Sequence, residues 1–295
     1  MDGGFKTAVI GLGMIGGSLA YALRGFRSGV VVGCDINPQI CAEAEKQGAV
    51  SKAYTRAEDA VKDADLVVFC TYPNTIPRLV EETCRYFKAG TVVSDVCGIK
   101  TELAQKLERL LPPGVDYVGG HPMAGKETEG FLNATPELFW MTGFIVTPSK
   151  DARPESIALV REMAEYIGAT RIAVASYQEH DSVIAYTSDL MHIAASALCL
   201  DFHSDMNRAY TAGAFRDCTR IANINPKLWT ELFLSNRENT LKEIQRYMES
   251  LNRIFEALKE KDGTSLEQLL AQVRKNKLYM QEKEPEPWGN HEVEK

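Results

Sequence analysis

No Cys-x-x-Cys pair occurs in the 295 residues, and the seven cysteines stand singly at positions 34, 41, 70, 84, 97, 199 and 218. An odd, scattered set builds neither a disulfide framework nor a zinc site, so no metal is expected and a reducing cytoplasm is the compartment that fits. No apolar run approaches the length of about 18 residues that a membrane span needs, and no charged-then-apolar leader precedes Ala8. Membrane insertion and export therefore lack support. A basic surplus is also missing: 33 Lys and Arg face 40 Asp and Glu, a formal charge of -7. That balance argues against a nucleic-acid surface and still permits a local cationic pocket for an acidic substrate. What the chain has in quantity is apolar material, 45% of its residues, enough to fill the cores of two ordinary domains.

The stretch AVIGLGMIGGS, Ala8 to Ser18, reads as a strand running through a glycine turn into a helix. In such a turn Gly11 allows the tight bend, Gly13 a close approach of backbone to phosphate, and Gly16 close contact of helix with sheet. The helix opened by Met14 and Ile15 then offers free N–H groups to a pyrophosphate. A second apolar run, Val30-Val31-Val32, leads to Asp35, 24 residues after Gly11 and near the spacing of about 20 expected of an acid that binds the adenosine ribose. A carboxylate accepts from a ribose diol and repels a 2'-phosphate, and Ile36-Asn37-Pro38 brings no arginine, so NAD is favoured over NADP. The structural alternatives are a phosphate-free turn and a helix cap provided by Asp35.

Strands and helices then alternate as in a doubly wound parallel sheet. Ala64 to Cys70 reads as a buried strand ending at Thr71-Tyr72-Pro73, where cofactors cross a sheet edge. Thr91 to Asp95 is the next, Tyr117 to Gly120 delivers His121, and Gly143–Thr147 and Thr170–Val174 close the set around a helix from about Glu155 to Ile167. Thr71 and Asp95 join the glycine turn and Asp35 as expected cofactor contacts.

Near Ser176 the pattern becomes helical throughout, with Ser176 and Glu179 spaced as a capping box. This divides the chain into a Rossmann-type nucleotide-binding domain over 1–175, an all-helical domain over 176–281 and a tail over 282–295 whose Glu, Pro and Lys content predicts disorder. Leu241, Ile244, Met248, Leu251, Phe255 and Leu258 recur at intervals of three and four as one apolar stripe. Lys261-Asp262-Gly263 ends that helix, and Thr264 with Glu267 is spaced to begin another. The stripe suits an intramolecular core or the interface of a homodimer.

Chemistry is expected between the halves. His121 comes directly off a strand end in HPMAG, and an imidazole is the group best tuned to take a hydroxyl proton near neutral pH. A lone loop histidine with no such role is the plain alternative. In GAFRDCTRIA, Arg216 and Arg220 lie one helical turn apart and suit bidentate binding of a carboxylate, or surface ion pairing with Asp217. His180 and His192 would lie about 18 Å apart on an unbroken helix, too far to share one small molecule. His192, deeper in an apolar stretch, is favoured for the substrate, with His180 nearer the interdomain hinge.

GLGMIGGSLA at 11–20, HPMAGKETEGF at 121–131, HDSVIAYTSDLMH at 180–192 and FRDCTRIANINPKLW at 215–229 resemble the prephenate and arogenate dehydrogenases of tyrosine biosynthesis, in order from about Lys6 to about Leu258. The resemblance implies NAD-linked oxidative decarboxylation of prephenate to 4-hydroxyphenylpyruvate, or of arogenate to tyrosine, by a Rossmann domain followed by a helical dimerisation domain. Tyrosine is then a candidate feedback inhibitor, and too little chain follows residue 260 for the regulatory domain that some relatives append. His121 matches the family's catalytic histidine, Arg220 its substrate arginine, Arg216 a neighbouring basic position, and His180 and His192 its two helix histidines. Gly98 stands where many relatives have a serine near the hydroxyl, and Asp189 replaces a frequent histidine; facing the substrate, Asp189 would favour an ammonium and so arogenate. A β-hydroxyacid dehydrogenase and a non-catalytic NAD sensor are the competing readings, although the lysine that the former wants on the first helix of the second half is absent from HDSVIAYTSDLMH.

Overall fold

The computed structural model describes residues 4–126, 128–201 and 208–283, which divide into two compact units between Thr240 and Leu241. The expected disordered tail, 282–295, lies outside the described residues except for Glu282 and Lys283, which are helical.

The first unit begins with β1 (Lys6–Ile10), α1 (Met14–Ala22), β2 (Val30–Cys34), α2 (Pro38–Lys46), β3 (Lys52–Tyr54), α3 (Ala57–Val61), β4 (Leu66–Phe69), α4 (Ile76–Thr83), β5 (Val92–Asp95) and α5 (Thr101–Leu110). It continues through β6 (Asp116–Pro122), β7 (Gly143–Pro148), α6 (Pro154–Tyr166) and β8 (Arg171–Val174). The strands form one sheet in the order β3-β2-β1-β4-β5-β6-β7-β8. The order reverses between β1 and β4, so the crevice for a ligand opens beyond the carboxyl ends of these two strands. Val9 stands opposite Gly33 of β2 and Val68 of β4.

Successive residues of a strand face opposite sides, and both sides are filled. Val9 packs in one buried cluster with Leu12, Leu19 and Val68, while Ala8 and Ile10 join Val67 and Phe69 in a second. Burial on both sides is why β1 and β4 are continuous apolar runs rather than alternating ones. Two features depart from the sequence expectation. The short β3 has only Ala53 buried, so no pattern marks it; pairing of Val32 with Lys52 and of Cys34 with Tyr54 makes it a strand. The β6–β7 pair is antiparallel, because the connection holds only short 3₁₀ turns, Phe131–Asn133 and Pro136–Phe139, and no crossover helix.

Beyond β8 come α7 (Tyr177–Ile184), a π turn (Ala185–Asp189) and α8 (Leu190–Leu200), with Ser176 Oγ accepting from the Glu179 amide as the capping spacing predicted. Together they make a 24-residue helix that is long and apolar enough to cross a membrane by length and composition alone, although no uninterrupted apolar run marks it in the sequence. Its two buried carboxylates, Asp181 and Asp189, are bonded to protein partners, as described below. Then follow α9 (Gly213–Thr219), packed on α8, and α10 (Pro226–Ser235).

Helix α11 (Arg237–Lys259) starts in the first unit and runs into the second, which also holds α12 (Gly263–Lys283). The cap of α12 is Asp262, whose Oδ1 accepts from the Ser265 amide at 3.0 Å, and not the expected Thr264. Lys261, with φ at 51°, turns the chain so that Asp262 precedes the first helical residue, Gly263. On α11, Leu241, Met248, Leu251, Phe255 and Leu258 are each roughly half exposed, so the apolar stripe is not covered by the described residues.

Candidate active site

The glycine turn has the geometry its sequence requires. Gly11 has φ of 97°, and a β-carbon there would lie 2.5 Å from the Cys70 carbonyl oxygen, hard against the end of β4. A β-carbon on Gly16 would fall 1.8 Å from the Gly11 oxygen, so only glycine lets α1 sit on the turn. Gly13 is different: nothing lies within 4 Å of its would-be β-carbon. It begins α1 with no side-chain cap and no acid in the first turn, leaving the helix end open to an anion. The Met14 side chain points into the core, Ile15 is half-buried, and Thr71 lines the turn, its Cβ 3.5 Å from where a β-carbon on Gly11 would stand.

Asp35 holds this turn in place as well as facing it. Its Oδ2 accepts from the Leu12 amide at 3.0 Å and its Oδ1 from the Asn37 amide at 2.9 Å. Each oxygen keeps a lone pair for a ribose hydroxyl. The cap of α2 is Asn37, which accepts from Gln39, so the capping alternative for Asp35 falls away.

Asp95 requires a correction. Expected among the cofactor contacts, it is fully buried: Oδ1 takes bonds from the Cys97 amide and Lys100 Nζ, and Oδ2 one from the Tyr117 hydroxyl. Lys100 is equally buried, and its ammonium donates to Asp95 Oδ1 at 2.5 Å, to the Cys97 carbonyl at 2.9 Å and to the Gly120 carbonyl at 2.7 Å. All three donors are used, which is what makes a buried lysine tolerable. The pair pins the loop after β5 to the end of β6, one residue before His121. Burial, followed by the Asp95 charge, pushes the Tyr117 hydroxyl well above its usual pKa.

His121 is half-buried, and its Nδ1 lies 2.8 Å from Nε2 of His180. His180 Nδ1 lies 2.8 Å from Asp181 Oδ1. Asp181 also accepts from the Lys100 and Thr101 amides at 2.9 and 2.8 Å, closing the N-terminus of α5. His180, left nearer the hinge by the sequence reading, thus stands against His121; the contact needs α7 laid across the end of β6, which helix spacing cannot reveal. Burial lowers the His180 pKa despite its bond to Asp181. For Asp181 burial opposes the charge, but the bonds from His180 and Thr101 outweigh it and keep the carboxyl below its usual value. Burial, then His180 and Lys100, hold His121 well below an ordinary imidazole, so it stays neutral and able to accept a proton.

A β-carbon on Gly98 would stand 3.9 Å from His121 Cε1 and 3.5 Å from a Leu232 methyl, ordinary contacts that place this glycine beside the imidazole. His192 stacks on Trp229 with ring centroids 3.7 Å apart, and its Nδ1 bonds the Ser188 carbonyl at 3.0 Å. Arg216 on α9 and Arg220 in the turn after it are exposed, on elements packed against α8. Asp189 does not present a free carboxylate to a ligand: it is 2% exposed, and Oδ2 accepts from Asn236 Nδ2 at 2.8 Å and Thr240 Oγ1 at 3.0 Å. The same Asn236 amide reaches the Asp181 carbonyl at 2.9 Å. The π turn rotates Asp189 inward, onto the junction of α10 and α11.

Burial raises the Asp189 pKa to about 6, against the bonds from Asn236 and Thr240. A carboxyl raised on folding stabilises the protein most below its unfolded value and loses that contribution as pH rises through about 6. At neutral pH its ionisation thus costs up to about 3 kcal/mol. Asp189→Asn keeps an acceptor for the same donors and should gain about 1–3 kcal/mol near pH 8, with the gain shrinking by about 1 kcal/mol near pH 5. Denaturant unfolding of both proteins at the two pH values checks this; a difference independent of pH would show that the carboxyl is not strained.

The chain matches the family model described as prephenate dehydrogenase, nucleotide-binding domain, over residues 19–173, and the one described as prephenate dehydrogenase, dimerization domain, over 176–272. It belongs to the prephenate dehydrogenase family. A cyclohexadienyl dehydrogenase of Zymomonas mobilis is 30% identical over 92% of this chain and 94% of its own length. Prephenate dehydrogenase of Aquifex aeolicus, solved with hydroxyphenyl propionate and NAD+, superposes with TM-score 0.84 at 29% identity, over 94% of this chain and 98% of that one. Synechocystis arogenate dehydrogenase gives 0.79 at 26%, over 94% and 100%.

Lys100, Asp181 and Asn236 are the residues of this candidate site that sequence reasoning passed over. A signal existed for two of them: an adjacent His-Asp pair on a helix, and a lysine five residues beyond an aspartate that ends a strand. Asn236 carries none, since only the fold brings its amide to the Asp181 carbonyl.

Proposed function

We propose that the enzyme catalyses NAD-dependent oxidative decarboxylation of prephenate to 4-hydroxyphenylpyruvate, with arogenate as the second substrate to test. The observation that carries this reading is a neutral imidazole, His121, whose Nδ1 is engaged by His180 and whose Nε2 is left for a hydroxyl proton, on the loop beyond β6 at the carboxyl edge of the sheet. The open helix end at Gly13 and the two acceptor oxygens of Asp35 fit a dinucleotide. Bound NAD+ supplies the hydride acceptor. His121 takes the proton of the ring C4 hydroxyl as hydride leaves C4, and loss of the ring carboxylate as CO2 makes the ring aromatic. Arg220, with Arg216 beside it, serves the substrate's carboxylates.

The test is absorbance at 340 nm after mixing the protein with NAD+ and either substrate. NADH formation with prephenate supports the reading; no NADH with either, alongside tight NAD binding, would favour a sensor. Asp35→Ser should reduce the preference for NAD over NADP at least fivefold, about 1 kcal/mol, because repulsion of the 2'-phosphate is relieved. An unchanged ratio of kcat/KM for the two cofactors would place the ribose contact elsewhere.

The uncovered stripe of α11 supports a homodimer, in which a second copy buries Leu241, Met248, Leu251, Phe255 and Leu258. Sedimentation should give twice the chain mass of 32.7 kDa; a monomer at micromolar concentration would overturn this.

A further inference from the structure

We propose that His180 and Asp181 are positioning residues that set the tautomer of His121 and carry onward the charge it acquires, so that the base of this site is a three-residue chain from α7 to the end of β6. This deepens the dehydrogenase reading and rests on it for its catalytic part; the tautomers can be tested without turnover.

The direction of the chain follows from what each atom can do. Asp181 is an acceptor from three donors at once: Oδ1 from the Lys100 amide and the His180 ring, Oδ2 from the Thr101 amide. Two of these donors are backbone N–H groups that cannot exchange roles, so the carboxylate stays ionised and His180 Nδ1 carries a proton. In a neutral His180 ring Nε2 then has only a lone pair to offer. The 2.8 Å contact to His121 is accordingly filled by a proton on His121 Nδ1, which leaves the lone pair of His121 on Nε2. The opposite arrangement, with a proton on His121 Nε2, needs a charged His180. Burial and the nearby Lys100 cation disfavour that charge.

When His121 Nε2 takes a hydroxyl proton, the Nδ1 proton can move to His180 Nε2. One N–H bond forms at each ring, one breaks at His121, and the charge, disfavoured by burial on either ring, comes to rest on the one that is bonded to a carboxylate, Asp181. His121 is then neutral again. No other reactant is needed: the two rings together gain the one proton that the hydroxyl loses.

The ionisable groups around the chain come from several elements. Lys100 and Asp95 face it from the β5–α5 segment, Tyr117 from β6 through Asp95, and Asp189 from the π turn through Asn236. Lys100 and Asp95 neutralise each other in a fully buried pair, which leaves Asp181 as the carboxylate in direct contact with the chain, at the His180 ring. The anchoring is also independent of Gly98, which offers no side chain to hold the imidazole.

Long-range 15N–1H spectra of the histidine-labelled full chain, assigned with His121→Asn and His180→Gln, read the tautomers directly. The expected result near pH 7.5 is a proton on Nδ1 and a bare Nε2 in both rings. A proton on Nε2 of either ring overturns the proposal, whether or not the protein turns over prephenate. In kinetics, His180→Gln should lower kcat about 10- to 100-fold with each KM within about threefold, and should move the acid limb of the pH profile upward, toward an ordinary histidine. The proton inventory of kcat in mixed H2O and D2O should pass from curved to linear. A variant that raises the substrate KM and keeps kcat makes His180 a binding residue only, and overturns the relay. Should the variant unfold, the parent's tautomers and its own proton inventory still decide. Absence of NADH from both substrates with the parent defeats the dehydrogenase reading and leaves the tautomer result standing.

Discussion

His121→Asn is expected to lower kcat by about 10² to 10⁴ while NAD affinity changes less than about threefold. The substitution removes the only ring nitrogen that His180 leaves available for a substrate proton. It leaves the glycine turn, Asp35 and the Lys100–Asp95 pair untouched, since these bond among themselves and to backbone. Tm should move little, because His121 is half-buried and its ring makes one hydrogen bond that an exposed-side amide can partly replace with water. The pH profile provides a second check. A base must be neutral to act, and His121 is held well below the ordinary imidazole value, so the parent's kcat/KM should persist below about pH 6.5 before falling. In the variant that limb should vanish from the residual rate. Activity within threefold of the parent at its optimum would remove His121 from the chemistry.

Gly16→Ala should abolish useful NAD binding and lower Tm by roughly 5–15 °C, corresponding to about 2–4 kcal/mol. The added methyl would meet the Gly11 carbonyl oxygen at 1.8 Å and Cys70 Cβ at 2.9 Å. The first is backbone of the turn itself and cannot swing aside, so α1 must lift from the sheet. Lifting it moves the helix end away from the crevice. Gly13→Ala separates the two functions: its methyl meets nothing within 4 Å and its φ is -73°, so the fold should stand. The methyl would occupy the space where a pyrophosphate approaches, and NAD affinity should fall at least tenfold with Tm within about 2 °C. Calorimetry and NAD titration of both variants measure this. Equal loss of stability in the two would mean that Gly13 has a packing role the geometry does not give it.

The parts legible in the sequence are those whose physical cause is local. Gly11, Gly13 and Gly16 act within six residues of chain, and each role can be stated from backbone geometry alone. The apolar runs at Val30 and Leu66 declare strands buried on both faces, Ser176 declares its cap, and the stripe from Leu241 to Leu258 declares a face that wants covering. His121 was legible because it follows a strand directly and strand ends line the crevice of a doubly wound sheet. Length and composition gave material for two domains with no surplus of basic charge, and the alternation of apolar runs with helical patterns made the first of them α/β.

Tertiary structure decided everything that depends on two elements meeting. His192 looked the deeper histidine because its neighbours are apolar, yet those neighbours place it on Trp229, while His180 crosses to His121 from 59 residues away in sequence. Asp189 looked free to face a ligand until the π turn directed it onto Asn236 and Thr240, about 50 residues further along. Asp95 looked like a strand-end cofactor contact, and it is instead the buried partner of Lys100. In each case a polar side chain leaving water had to find a partner, and many positions in the chain could have offered one. Sequence shows that such a group needs a bond. Only the packing of α7, α10 and β6 shows which group supplies it.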